Sequence, residues 1–174
     1  AGGAFSGGGG SEPGLWVDST TILSGDVAGS QMEEWAKPNK GRSGFADTNG
    51  QGYYIEARAR NGMDASAARN AVNYLGQLSQ QVISLSASVK DQLSAVDSSL
   101  GSQYYDLIRA NPGVRVIGNG EGDDTPDVNA LGKQLVNQAY SKITNAVANS
   151  DLNKLAVAAD GMLSDTMYEV STSL

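Results

Sequence analysis

Residues 64–110 read DASAARNAVNYLGQLSQQVISLSASVKDQLSAVDSSLGSQYYDLIRA, and the apolar positions in this stretch decide the architecture that the sequence predicts. Val72, Leu75, Leu78, Val82, Leu85, Val89, Leu93, Val96, Leu100, Tyr104 and Leu107 follow one another at steps of three or four without a gap. Ten steps carry the stripe from residue 72 to residue 107, a mean of 3.5, which is the coiled-coil period. Asp64 is a natural N-cap after the Asn61-Gly62 turn, and Asn111-Pro112-Gly113 is a stop, because the residue before proline is pushed out of the helical region. A helix of that extent would run roughly 70 Å.

Glycine and proline mark the boundaries. Fourteen of the 22 glycines fall in residues 1–62 and four more in 113–122, so the glycine-poor segments between and after them suit regular structure. A second helix is predicted over about 127–170, opening on Thr125-Pro126-Asp127 and carrying Val128, Leu131, Leu135, Ala139, Ile143 and Val147, then Leu155, Ala159, Leu163 and Val170 beyond a weaker stretch at Ser150-Asp151. With residues 111–125 as the connecting loop, the expected fold is mainly α: a long, coiled-coil-like antiparallel helical hairpin in 63–174, preceded by an extended glycine-rich N-terminal arm, 1–62, with minor β structure.

Within that arm, Leu15 to Leu23 (LWVDSTTIL) is rich in strand formers. Tyr53 to Arg60 alternates, with Tyr54, Glu56, Arg58 and Arg60 on one face and Tyr53, Ile55, Ala57 and Ala59 on the other. Between these two candidate strands, Gly29 to Lys37 can form a short helix, with Ser30 as cap and Glu33 completing a capping box. The run SGGGGS at 6–11 has the form of a linker and carries no fold information.

Composition narrows the function classes. There is no cysteine and no histidine, which removes disulfide frameworks, thiolate metal sites and imidazole catalysis. A net charge of −7 gives no general attraction to phosphate backbones, and no run is long and apolar enough to span a membrane, so neither nucleic acid nor a membrane span is expected. Glu33 or Glu34 with Glu56, and Ser141 with Lys142, are the only catalytic pairs the sequence offers; adjacent helical residues point apart, and capping already accounts for Glu33. No enzymatic role is expected. The sequence opens on Ala1, which together with the lack of cysteine suits a processed chain acting outside the cytoplasm (secreted, periplasmic or cell-surface) or in a virion.

Asp47-Thr48-Asn49-Gly50-Gln51-Gly52 resembles the start of an EF-hand-type calcium loop, which makes Asp47, Asn49, Gln51 and Glu56 candidate ligands. The twelfth position is Arg58 in place of a bidentate Glu, and Asn49-Gly50 alone makes a hairpin turn, so the expectation is no cofactor, with calcium as the one alternative.

The first helix carries seven charged side chains in 47 residues, and its flanks hold Ser, Gln, Asn and Ala, a surface suited to packing against protein. The expected interface residues are Val72, Leu75, Val82, Val89, Leu93, Val96 and Leu100 on that helix, Leu135, Ile143 and Leu155 on the second, and Phe5 and Trp16 in the arm. Shape and composition together point to a non-catalytic structural subunit of a multi-protein assembly, such as an extracellular appendage, a secretion channel, or a phage tail or internal-virion component, with other protein subunits as partners. The alternative is a surface binding module on a helical stalk, ordered by calcium.

Overall fold

The structure, a computed structural model, describes residues 12–25, 45–48 and 52–150, with 45–48 described by backbone only. It has two layers. Strands β1 (Gly14–Ile22), β2 (Phe45–Thr48), β3 (Tyr53–Arg60) and β4 (Gly113–Glu121) form one antiparallel sheet in the order β2-β3-β1-β4. Helices α1 (Ala65–Val96), α2 (Ser98–Ala110) and α3 (Val128–Ala148) make the second layer, and a short 3₁₀ turn, Gly122–Asp124, links β4 to α3.

The two strands read from the sequence are both present, and their period-2 patterns fix which side faces the helices. On β1, Leu15, Val17, Ser19 and Thr21 are buried while Trp16, Asp18 and Thr20 are half-buried. Register sets Val17 opposite Ala57 of β3 on one side and opposite Gly118 of β4 on the other, so three strands contribute to one apolar surface. Helix α1 lies on that surface: Thr21 Oγ1 and Ser79 Oγ share a buried hydrogen bond of 2.7 Å, and Gln80 Nε2 donates to the Tyr53 hydroxyl at 3.3 Å.

The helical hairpin expected from the stripe is not what forms, and two local causes account for the difference. The first is Asp97. Its backbone is extended (φ −159°, ψ 125°), its N–H donates to Leu93 O to close α1, and its carboxylate accepts from Ser99 N to open α2. The chain therefore reverses at one residue, and α2 runs back along the end of α1. The two helices close up at Gly101, where a Cβ would collide with the Ser94 hydroxyl. One turn further along, Ser86 Oγ and the Tyr104 hydroxyl bond at 2.9 Å in the interior. The stripe runs through the break because both helices bury most of it in the same core, up to Tyr104; at the end of α2 the buried residue is Ile108, and Leu107 is exposed. Val96, the corner residue, is 47% exposed.

The second cause lies in residues 111–125, expected to be a loop. Gly113–Glu121 is a nine-residue strand with alternating burial: Val114, Val116 and Gly118 face the helices, and Arg115, Ile117 and Asn119 face away. Its glycines answer to packing in addition to turns. A Cβ at Gly118 would stand 2.6 Å from Pro126 Cβ and 2.8 Å from Leu131 Cδ1, so glycine is what lets the start of α3 settle onto the sheet.

The core is continuous across both layers. Val17, Ile55 and Val114 of the sheet and Leu75, Leu100, Leu135 and Ile143 of the helices belong to one buried cluster, each essentially inaccessible to solvent. Each such aliphatic side chain contributes about 1.5–3 kcal/mol by leaving water. The sheet thus joins strands from both sides of residue 62 to the helices that follow. The short helix expected at 29–37, the run at 6–11 and the expected continuation of the second helix past residue 150 lie outside the described residues. As described, α3 ends at Ala148, where the C-cap Asn149 N–H donates to Asn145 O.

Candidate functional site

Alternation in the same three strands builds a second surface, the sheet face turned away from the helices. Register sorts it into rows: Arg58, Trp16 and Asn119; Glu56, Asp18 and Ile117; Tyr54, Thr20 and Arg115. Directed contacts hold the rows in place. The Arg58 guanidinium lies 4.1 Å from the centroid of the Trp16 ring and its Nε is 3.9 Å from Glu56 Oε2. Arg115 donates to Asp18 through both Nε (3.1 Å) and Nη2 (2.8 Å), a bidentate pair, and this carboxylate holds the guanidinium above its ordinary pKa, first through the hydrogen bond and then through charge attraction. Arg60 sits opposite Gly14, which has no side chain, and so reaches across β1 to donate to Asn119 Oδ1 at 3.2 Å and Gly120 O at 2.7 Å.

Burial grades across this face. Glu56 and Tyr54 on β3 are buried, Trp16 and Asp18 on β1 are half-buried, and Arg115, Ile117 and Asn119 on β4 are exposed. Ile117 is 49% exposed, the most of any large hydrophobic side chain among the described residues. It stands beside fixed Arg, Asp and Asn groups, and beyond it no further strand follows among the described residues.

The direction of the β4 backbone groups follows from the bonds at its two ends. Leu23 N donates to Pro112 O at 3.0 Å, and Gly122 N donates to Pro13 O at 2.5 Å. In an antiparallel pair, residues that exchange ladder bonds alternate with residues whose N–H and C=O point the other way. With this register, Val114, Val116, Gly118 and Gly120 bond to β1. Gly113, Arg115, Ile117, Asn119 and Glu121 turn theirs toward the open edge. Among the described residues, strand β4 is an edge of the sheet.

The residues expected to act fall as follows. Val72, Leu75, Val82, Val89, Leu93, Leu100, Leu135 and Ile143 are buried within this chain's own core, whereas Val96 is exposed at the α1–α2 corner. Trp16 lies under Arg58 on the open face. Phe5 and Leu155 lie outside the described residues. Of the calcium candidates, Glu56 is 3% exposed on β3, Asp47 is placed on β2 by backbone only, and Asn49 and Gln51 lie outside the described residues. Among the described residues no three His, Cys, Asp or Glu side chains gather as a metal-binding group. Reading by sequence missed Arg115, Ile117 and Asn119, although the alternation V-R-V-I across 114–117 was a usable signal.

A shallow cleft of about 140 Å³ between α2 and α3 is lined by Leu107, Ile108, Asn111, Lys142, Asn145, Ala146 and Asn149. Lys142 Nζ already donates to Asn111 O at 3.2 Å across it, so the cleft offers one engaged cation and otherwise amides and aliphatic surface. No helix among the described residues is long and apolar enough to cross a membrane. The chain matches no protein-family model, no curated protein and no solved structure.

Proposed function

We propose that this protein is a non-catalytic structural subunit of a multi-protein assembly, acting outside the cytoplasm or in a virion, and that it meets its neighbours through the β1–β4 part of the sheet face turned away from the helices and through the β4 edge. The observation that carries the reading is Ile117, half-exposed on a nine-residue edge strand and surrounded by Arg, Asp and Asn side chains already fixed by their own contacts. Protein interfaces are enriched in Trp, Tyr and Arg around apolar centres, and pre-fixed side chains lose little entropy on binding. Trp16 stacked by Arg58 extends the same surface one row further. The acidic balance of the chain, −7, favours protein partners over nucleic acid.

Static light scattering and negative-stain imaging of the full chain test this. High-order particles or filaments support it. A single monomeric species that melts at a higher temperature with calcium overturns it in favour of the second reading, a binding module displaying the Trp16 face.

A further inference from the structure

The β4 edge is self-complementary, and we propose that two copies of this chain pair β4 to β4, antiparallel, about a two-fold axis at Ile117, joining two four-stranded sheets into one. The inference rests on the assembly reading above and names one of its contacts.

Three features of the strand agree on this register. The residues with outward backbone groups are Gly113, Arg115, Ile117, Asn119 and Glu121, symmetric about Ile117. An antiparallel mate in the Ile117 register sets Ile117 opposite Ile117 of the partner subunit, Arg115 opposite Asn119 of the partner subunit and Gly113 opposite Glu121 of the partner subunit. Every one of these is a pair of outward-facing residues, so about ten new ladder bonds can form. A shift of one residue would oppose outward groups to inward ones and lose them.

The side chains fit as well. The two half-exposed Ile117 side chains would cover each other at the axis. Arg115, 61% exposed at its side chain and held on Asp18, lies diagonal to Glu121 of the partner subunit at a backbone separation of roughly 7–8 Å, so opposite charges stand across the seam without the guanidinium leaving Asp18. Charge complementarity thus repeats on both sides of the axis. The opposite edge of the sheet among the described residues, β2, is four residues long and offers much less. Long edge strands are usually blunted by prolines, bulges or inward charges, and β4 between Gly113 and Glu121 has no proline and an unbroken register with β1.

Single-cysteine cross-linking of the full chain tests the axis directly, since the natural sequence has no cysteine. In a hydrogen-bonded antiparallel pair, facing Cα atoms are about 5.5 Å apart, within the span of a disulfide. Ile117→Cys should therefore oxidise to a covalent dimer. Asn119→Cys should not, because the two Asn119 positions would be about 13 Å apart along the strands. The expected contrast in dimer yield is at least roughly tenfold. In parallel, Ile117→Pro removes an outward N–H that takes no part in the ladder with β1, and should keep the circular dichroism spectrum while lowering the particle mass. Ile117→Asp, which opposes like charges at the axis, should do the same.

Equal cross-linking at 117 and 119, or unchanged particle mass in both 117 variants, overturns the β4 pairing while leaving the assembly reading in place. A discrete dimer cross-linked at 117 supports the pairing and removes the higher-order reading. A monomer at roughly 0.1 mM, where a micromolar dimer would be almost fully formed, removes both.

Discussion

One sheet carries two surfaces made from alternate residues of the same strands, and they are held in different ways. Toward the helices stand Val17, Ile55, Ala57, Val114 and Val116, with nothing more than 2% exposed, fixed by volume and close packing. Away from the helices stand Trp16, Asp18, Arg58, Arg115, Ile117 and Asn119, fixed by a cation–π stack, a bidentate ion pair and a cross-strand hydrogen bond. The first surface fills space that would otherwise be a cavity. The second positions groups while leaving an aliphatic side chain in water. A packed core and a solvent-facing surface are thereby separated by one residue of register, and mutations at neighbouring positions should report on different properties.

The largest effect should come from adding a charge to each surface in turn. Val17→Asp puts an unpaired carboxylate in the middle of the core and is expected to cost more than about 4 kcal/mol, enough to unfold a domain of ordinary stability. Ile117→Asp should change the stability of the protomer by no more than about 0.5 kcal/mol. Urea titration of both variants measures the difference, and similar costs would erase the distinction between the faces.

A second test uses pH to probe the helical layer. Burial pushes the Tyr104 phenol up to about 12, with the Ser86 hydrogen bond acting in the opposite direction. In the unfolded chain the same group releases its proton near pH 10. Between these values the unfolded state is ionised and the folded state is not, so the stability that depends on the neutral phenol is intact below about pH 10 and is lost as pH rises through about 12. The loss is about 2–3 kcal/mol. Tyr104→Phe should flatten the alkaline limb of a melting-temperature profile relative to the natural chain. An unchanged limb would place Tyr104 in water.

The smallest effect belongs to the open face. Asp18→Asn removes the charge partner of Arg115, whose exposure screens the pair, and should lower stability by less than about 1 kcal/mol while weakening assembly. Guanidinium titration and particle mass, measured on the same sample, separate the two. A larger loss of stability without a change in assembly would mean that the pair serves the fold instead of the surface.

The contrast also explains what could be read from the sequence. The strands at 14–22 and 53–60 were legible because alternation leaves a period-2 pattern wherever one face meets a core. The helix from residue 65 was legible by its stripe and by Asp64 as cap, whose carboxylate accepts from Ser66 N at 3.0 Å. The break at Asp97 was written as Asp97-Ser98-Ser99, an N-cap signal, but was hidden by a stripe that two antiparallel helices share as well as one long helix does. Strand β4 was hidden by its glycines. Gly118 yields to Pro126 and Leu131, a requirement that appears only once α3 is in place. Because the open face depends on β4, it was legible only in part: Tyr54, Glu56, Arg58 and Arg60 were read onto one face of their strand and Trp16 was singled out, but Arg115, Ile117 and Asn119 were not joined to them.

Residue-resolved amide hydrogen exchange along β4 shows whether residues 113–121 are an edge strand with one side in the fold and the other offered to a neighbour. The dilute protomer should show an alternation. Val114, Val116, Gly118 and Gly120 should be protected by their bonds to β1, and Arg115, Ile117, Asn119 and Glu121 should exchange fast, then slow when the particle forms. Uniformly fast exchange would restore a loop at this place. Uniform protection that does not depend on concentration would mean that the edge is already covered within a single chain.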